Sequence, residues 1–283
     1  MKWTEFVSRR IPVTCVALIV ALSFAQAQPA TEPAKEPPKE FVPSVGQAGK
    51  DVIWVPTGQT LVDKMLDVAK VTSKDYVIDL GSGDGRTVIT AAKRGARALG
   101  IEYNPDMVQL ATRNAAKEGV SNKAKFIHGD IFQTDFSQAT VITLFLLPRL
   151  NVQLRPTLFT MKPGLRVASN TFDMGDWEAD EKIKLDDCSS HCNGLFWIVP
   201  ANVQGLWKWS GGHLVIEQKY QMLTGTLKDG KVYTPITEAK MTGDKIAFSV
   251  GDAKYTGTVK GDTIRGMRKV GTKETRWQAS RSH

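Results

Sequence analysis

The sequence predicts an α/β body built on a doubly wound, mostly parallel sheet, followed by a small antiparallel all-β domain. Three observations carry this. Between residues 52 and 201, short apolar runs alternate with amphipathic helical stretches, the pattern of a parallel sheet wrapped by helices. After Pro200 no helical period persists, and alternating runs are cut by Asp229-Gly230, Gly243-Asp244, Gly251-Asp252, Gly261-Asp262 and Gly271. That punctuation belongs to an antiparallel meander, a barrel or a sandwich. Finally, the apolar run Tyr76-Val77-Ile78 leads into Asp79-Leu-Gly81-Ser-Gly83-Asp84-Gly85-Arg86, where alternate glycines let backbone approach a ligand.

Taken from the start, residues 1–27 carry Lys2, Arg9 and Arg10, then an apolar run over 13–24, then Ala25-Gln26-Ala27. This is the order of a cleavable signal peptide. The run is short for a membrane span of about 20 residues, so the chain is expected to be exported, with membrane association only through an uncleaved N-terminus. Residues 28–50 begin QPATEPAKEPPKE and read as a Pro-rich linker. The domain proper is set at 51–201, and the β domain at 202–283.

In residues 59–70, Leu61, Val62, Met65, Leu66 and Ala69 fall on one helical face. A strand at 76–80, the glycines, a helix from Arg86 to Arg94 and Gly95 come next, and then a strand ending at Glu102. Asn104 caps a helix that opens on Pro105 and stops at Gly119. Strands are expected at 125–128, 141–147 and 165–172, with helical turns over 148–161 interrupted at Pro156. Residues 182–185 and 195–199 have no helix between them and read as an antiparallel pair at the sheet edge.

The glycine loop fails the dinucleotide test. G-x-G-x-x-G asks for glycine where Arg86 stands, and Asp79 would repel a pyrophosphate. A carboxylate there suits an ammonium or a hydroxyl. Three strand ends, Asp79-Leu-Gly-Ser-Gly-Asp-Gly, Gly100-Ile-Glu102 and His128-Gly-Asp130-Ile131, together resemble the class I S-adenosylmethionine-dependent methyltransferases, whose fold is Rossmann-like. The resemblance implies S-adenosyl-L-methionine as cofactor. It places Gly81, Gly83 and Asp84 in the loop against the methionine part and Asp79 on its ammonium. Glu102 falls to the ribose hydroxyls, and Asp130, Ile131 and Tyr103 to the adenine. Trp54-Val-Pro-Thr57, with Phe172-Asp-Met-Gly-Asp-Trp177 further on, resembles a subset containing small archaeal protein-lysine methyltransferases and mitochondrial relatives that modify membrane-associated proteins. In that subset the segment folds over the cofactor, which implies a contact from Thr57.

On the acceptor side, Trp54, Phe145 and Leu146 are expected to make an apolar mouth, with Asp173, Asp176 or Trp177 orienting an amine. After the fourth strand the chain reads Leu144-Phe-Leu-Leu-Pro148-Arg and lacks the N-P-P-Y clamp of amino-methylating enzymes that act on adenine, so no nucleic-acid substrate is expected. No acidic or histidine cluster suggests a metal. The expected activity is N-methylation of a protein lysine, with a small-molecule acceptor as the alternative. A non-catalytic exported binding protein on the same fold is the rival from another class.

Two further features remain. The 27-residue leader holds three basic residues and one acidic, so the rest of the +8 chain carries +6, a basic surface suited to anionic partners. With Cys15 in the leader, Cys188 and Cys192 form an even pair, read as a short-loop disulfide in an oxidising compartment, with two free thiols or ligation of a metal together with His191 as the alternatives.

Overall fold

Apolar stripes buried against both faces of one sheet organise the first part of the chain. The computed structural model describes residues 40–186 and 188–282. The expected signal peptide and most of the Pro-rich segment lie outside the described residues. The elements are α1 (Gln59–Val68), β1 (Tyr76–Leu80), α2 (Arg86–Lys93), β2 (Arg97–Glu102), α3 (Pro105–Lys117), β3 (Ala124–His128), β4 (Val141–Leu144), α4 (Pro148–Thr160), β5 (Arg166–Asn170), β6 (Glu181–Lys184) and β7 (Asn193–Ile198). They build a sheet of order β3-β2-β1-β4-β5-β7-β6. The first five strands are parallel, and β7 returns antiparallel between β5 and β6.

Burial on both faces explains why β4 is apolar or hydroxyl-bearing throughout and fully buried. One face packs Val77 against Leu61, Leu66 and Val88 of α1 and α2; the other packs Ile78, Leu80 and Leu144 against Leu150, Leu154 and Leu158 of α4. Those three leucines decide the course of α4. Each contributes roughly 1.5–3 kcal/mol by burial, whereas an interior proline costs about 3 kcal/mol. The helix therefore runs through the exposed Pro156 without the expected interruption. Val152, whose carbonyl loses its helical donor to Pro156, is an exposed residue.

Next come β8 (Gly205–Trp209), β9 (Gly212–Lys219), β10 (Met222–Asp229), β11 (Val232–Pro235), β12 (Thr237–Thr242), β13 (Lys245–Val250), β14 (Ala253–Lys260), β15 (Thr263–Val270) and β16 (Lys273–Ser282). The sheet closes on itself because β9 pairs with both β8 and β10, while β16 pairs with β8. The result is a barrel and not a sandwich, in which β11 and β12 follow one another along the same edge of β10. Closure leaves few free edges. The interior is a packed core of Trp207, Leu214, Ile216, Met241, Ile246, Phe248 and Ile264.

The barrel is joined to the first sheet through Trp177. This side chain is fully buried against Phe159, Trp197 and Tyr220. Its Nε1–H donates to Gln221 Oε1 at 2.8 Å, and Gln221 Nε2 donates to the Glu178 carbonyl at 2.8 Å. Phe41–His283 accordingly forms one compact unit.

Candidate functional site

The site lies at the carboxyl ends of β1, β2 and β4, where the strand order turns outward in both directions from β1, the usual crevice of an open parallel sheet. The loop after β1 is stitched to β2, since Gly81 and Ser82 N–H both donate to the Ile101 carbonyl. Gly83 adopts φ +51°, and a Cβ there would lie 2.6 Å from Trp54 Nε1. Gly85, at φ +84°, starts α2 and abuts Phe126 and Ala111. Any side chain at either position would push the loop off its supports.

Three acids stand at three adjacent strand ends, each in a different environment. Asp79 is buried, and Thr143 Oγ1 donates to its Oδ1 at 2.6 Å. Burial pushes its carboxyl up to about 7, helped by the charges of Glu102 and Asp84 and opposed by the hydroxyls of Thr143 and Thr87. A carboxylate so placed gains most from a cationic ligand. Glu102 is pinned by backbone: Gly83 N–H donates to Oε2 and Asn104 N–H to Oε1, both at 2.9 Å. Each oxygen keeps a second lone pair for a hydroxyl donor. Asp130 accepts the Phe132 N–H on Oδ1 and Lys50 Nζ on Oδ2, at 2.9 and 2.6 Å. The Lys50 contact, followed by the Phe132 N–H, holds its carboxyl below the usual range.

Residues 46–54 form a β-hairpin that closes the cleft from outside, with Ala48 bridged to Ile53. The hairpin is tied down at both ends. Arg149 donates to the Asp51 carbonyl at 2.9 Å, Arg86 to the Thr57 carbonyl at 2.8 Å, and Asn170 Nδ2 to Thr57 Oγ1 at 3.0 Å. Trp54 lies over Gly83, and Lys50 Nζ sits 4.8 Å from the centroid of the Tyr103 ring. The stretch 46–50 thus belongs to the site and not to the linker in which the sequence placed it.

Of the expected residues, Trp54, Thr57, Asp79, Gly81, Gly83, Asp84, Glu102, Tyr103, Asp130, Ile131, Phe145 and Leu146 line one cleft. Asp84 needs a correction in detail. Its carboxylate is committed to Arg86 through contacts of 2.6–3.1 Å, so it positions the arginine that grips Thr57. Asp173, Asp176 and Trp177 do not line the cleft. Asp173 is exposed and accepts the Gly175 N–H within its own turn. Asp176 faces the barrel, taking Arg155, Tyr220 and Lys219. The Tyr220 hydroxyl, then Arg155 and Lys219, hold its carboxyl well below the usual range. Trp177 is core, for the reason given above. Lys50, Thr143, Arg149 and Asn170 were missed. Only Thr143, a hydroxyl in an otherwise apolar buried strand, carried a signal in the sequence. Cys188 and Cys192 are joined in a disulfide. Among the described residues no group of His, Cys, Asp or Glu is gathered to hold a metal, and no helix is long and apolar enough to cross a membrane.

A deep acid for an ammonium, a pinned acid for a diol, a third acid beside an apolar wall and a glycine cradle fit S-adenosyl-L-methionine group by group. The fold and site define a class I methyltransferase. The ANTKMT methyltransferase domain family matches residues 79–181. A protein-lysine N-methyltransferase of Saccharolobus islandicus is 44% identical over 139 residues, 48% of this chain and 86% of the relative. A Rattus norvegicus lysine N-methyltransferase named for a component of ATP synthase is 39% identical over 37% of this chain and 49% of the relative, so the chain spans about half of that protein. A Salinibacter ruber structure described as an RNA methyltransferase in complex with S-adenosyl-L-homocysteine is 45% identical, with a TM-score of 0.50, and covers 53% of this chain and 96% of its own. The chain belongs to this family of S-adenosylmethionine-dependent methyltransferases, and its cofactor is S-adenosyl-L-methionine.

Proposed function

We propose that the enzyme N-methylates a lysine side chain of a protein. The observation that carries this reading is the apolar wall that Trp54, Phe145 and Leu146 give the cofactor cleft, together with relatives named for lysine methylation. When bound, the cofactor supplies a methyl group on a sulfonium, open to in-line displacement by a nucleophile. The protein's part is orientation and exclusion of water, which supply most of the rate in such a transfer.

Asp79 binds the ammonium end and Glu102 the ribose. Asp130, Ile131 and Tyr103 hold the adenine end, where Lys50 must yield the Asp130 oxygen it occupies. A lysine amine starts near pKa 10.4 and must be neutral to attack. Trp54, Phe145 and Leu146 surround it with low-dielectric surface, which disfavours its charged form. No N-P-P-Y clamp follows β4, where Phe145-Leu-Leu-Pro148 stands. That argues against a base as acceptor, despite the name of the Salinibacter protein.

A second part of the proposal concerns compartment. The leader-like residues 1–27 and the Cys188–Cys192 bond both support work outside the reducing cytoplasm. Thiol counting on protein isolated from its host checks this, since two free thiols would refute it. The activity itself is checked by the labelling experiment that closes the Discussion.

A further inference from the structure

We infer that the disulfide-closed loop 188–192 walls the acceptor side of the mouth and that His191 contacts the incoming lysine. This deepens the protein-lysine reading and rests on it.

The loop stands at the right edge of the sheet. Thr171 N–H, just past β5, donates to the Asn193 carbonyl at 2.8 Å, and Leu185 N–H donates to the Cys192 carbonyl at 2.9 Å. Its base is therefore fixed beside the carboxyl ends of β4 and β5, the edge that also carries the glycine loop. The family match ends at residue 181, so the loop lies beyond the matched residues.

From that base His191 reaches the cleft wall. Its ring stands edge-on to Phe145, with centroids 5.0 Å apart and planes at 68°. Phe172 stacks on the same ring at 6.0 Å and 25°. Phe145 lines the cleft, so the three rings continue it outward as an aromatic row. Such a row suits the four-carbon stem of a lysine and, by cation–π attraction, its methylated ammonium.

His191 is held for this and not merely exposed. Its backbone adopts φ +53°, an uncommon conformation for a residue with a Cβ. The Cys188–Cys192 bond closes the turn around it, with Cα atoms 5.5 Å apart. Ser190 Oγ lies 2.7 Å from its Nδ1. In the tautomer that donates Nδ1–H to Ser190 Oγ, Nε2 carries the free lone pair, the acceptor an amine N–H requires.

The test uses the full chain, labelled S-adenosyl-L-methionine and total host protein extract as acceptor. The readouts are methyl-lysine formed, the half-saturating extract concentration, and cofactor affinity by calorimetry. His191→Ala should raise half-saturation about tenfold while leaving cofactor affinity within twofold. His191→Gln, which keeps an acceptor near the Nε2 position, should restore most of the loss. A Cys188→Ser/Cys192→Ser double variant, with His191 intact but unheld, should shift in the same sense as His191→Ala. Unchanged half-saturation in His191→Ala, with active wild type, overturns the inference and leaves the lysine reading standing. A wild type that binds cofactor but labels no lysine overturns the reading itself. Equal losses in His191→Ala and His191→Gln accompanied by weaker cofactor binding would mark a structural role and also overturn the inference.

Discussion

Replacing Asp79 by Asn should make the cofactor-free protein more stable at pH 8 while crippling cofactor binding. The side chain is buried at the end of β1, and its carboxyl is pushed from 3.8 to about 7, chiefly by burial and then by Glu102 and Asp84. A shift of about 3 units at 1.36 kcal/mol each is a cost of about 4 kcal/mol for holding the ionised form in the folded state. The sign follows from proton counting. Between pH 4 and 7 the folded protein keeps a proton that the unfolded chain has lost, so this group's contribution falls as pH rises, by up to about 1.4 kcal/mol per pH unit. It is fully present below pH 4 and gone above 7. Asn keeps an oxygen to accept the Thr143 hydroxyl but has no charge to bury. In urea unfolding without cofactor, the stability of Asp79→Asn relative to wild type should therefore grow by about 2–3 kcal/mol from pH 5 to pH 8. At pH 8 cofactor affinity should drop at least tenfold, because the ammonium has lost its counter-charge. A constant difference between the two proteins across that range, with unchanged affinity, would refute the assignment.

Gly83→Ala places a Cβ 2.6 Å from Trp54 Nε1 at a φ of +51°. It should lift the 46–54 hairpin and weaken cofactor binding at least tenfold in calorimetry, with a melting shift of only a few degrees. Gln221→Ala leaves the buried Trp177 indole N–H and the Glu178 carbonyl without partners. Only the indole N–H belongs to a buried residue, Glu178 being exposed, so by the cost of one unsatisfied buried group urea unfolding should show a loss of about 1–3 kcal/mol with cofactor affinity retained. Asp176→Asn, on the barrel side, should change neither kcat nor KM by more than twofold. A large kcat loss would return it to the acceptor site.

The sequence was most informative where chemistry sits on a periodic element. Strand ends can be located from βα alternation, so Asp79, Glu102 and Asp130 fall into place once each strand's last residue is known. Residues that act across the fold left no such trace. Lys50 meets Asp130 across 80 positions, and Asn170 meets Thr57 across 113. Trp177 shows the converse error. An aromatic residue after β5 looks like part of a binding surface until the barrel is known to cover it, and no local pattern encodes how two sheets dock. Asp176 was misplaced for the same reason, since its partners Tyr220 and Lys219 belong to the barrel side. Pro156 was misread because its penalty is local, whereas the Leu150, Leu154 and Leu158 burial that outweighs it depends on the sheet beneath.

The central claim is tested most directly by methyl transfer from labelled S-adenosyl-L-methionine to fractionated host extract. Glu102→Ala, which removes the acid pinned by the Gly83 and Asn104 N–H groups, serves as control. The account predicts label in methyl-lysine after acid hydrolysis of the protein fraction, with wild type only. Label in the nucleic-acid or small-molecule fraction, or a wild type that binds cofactor and labels no lysine, would contradict it.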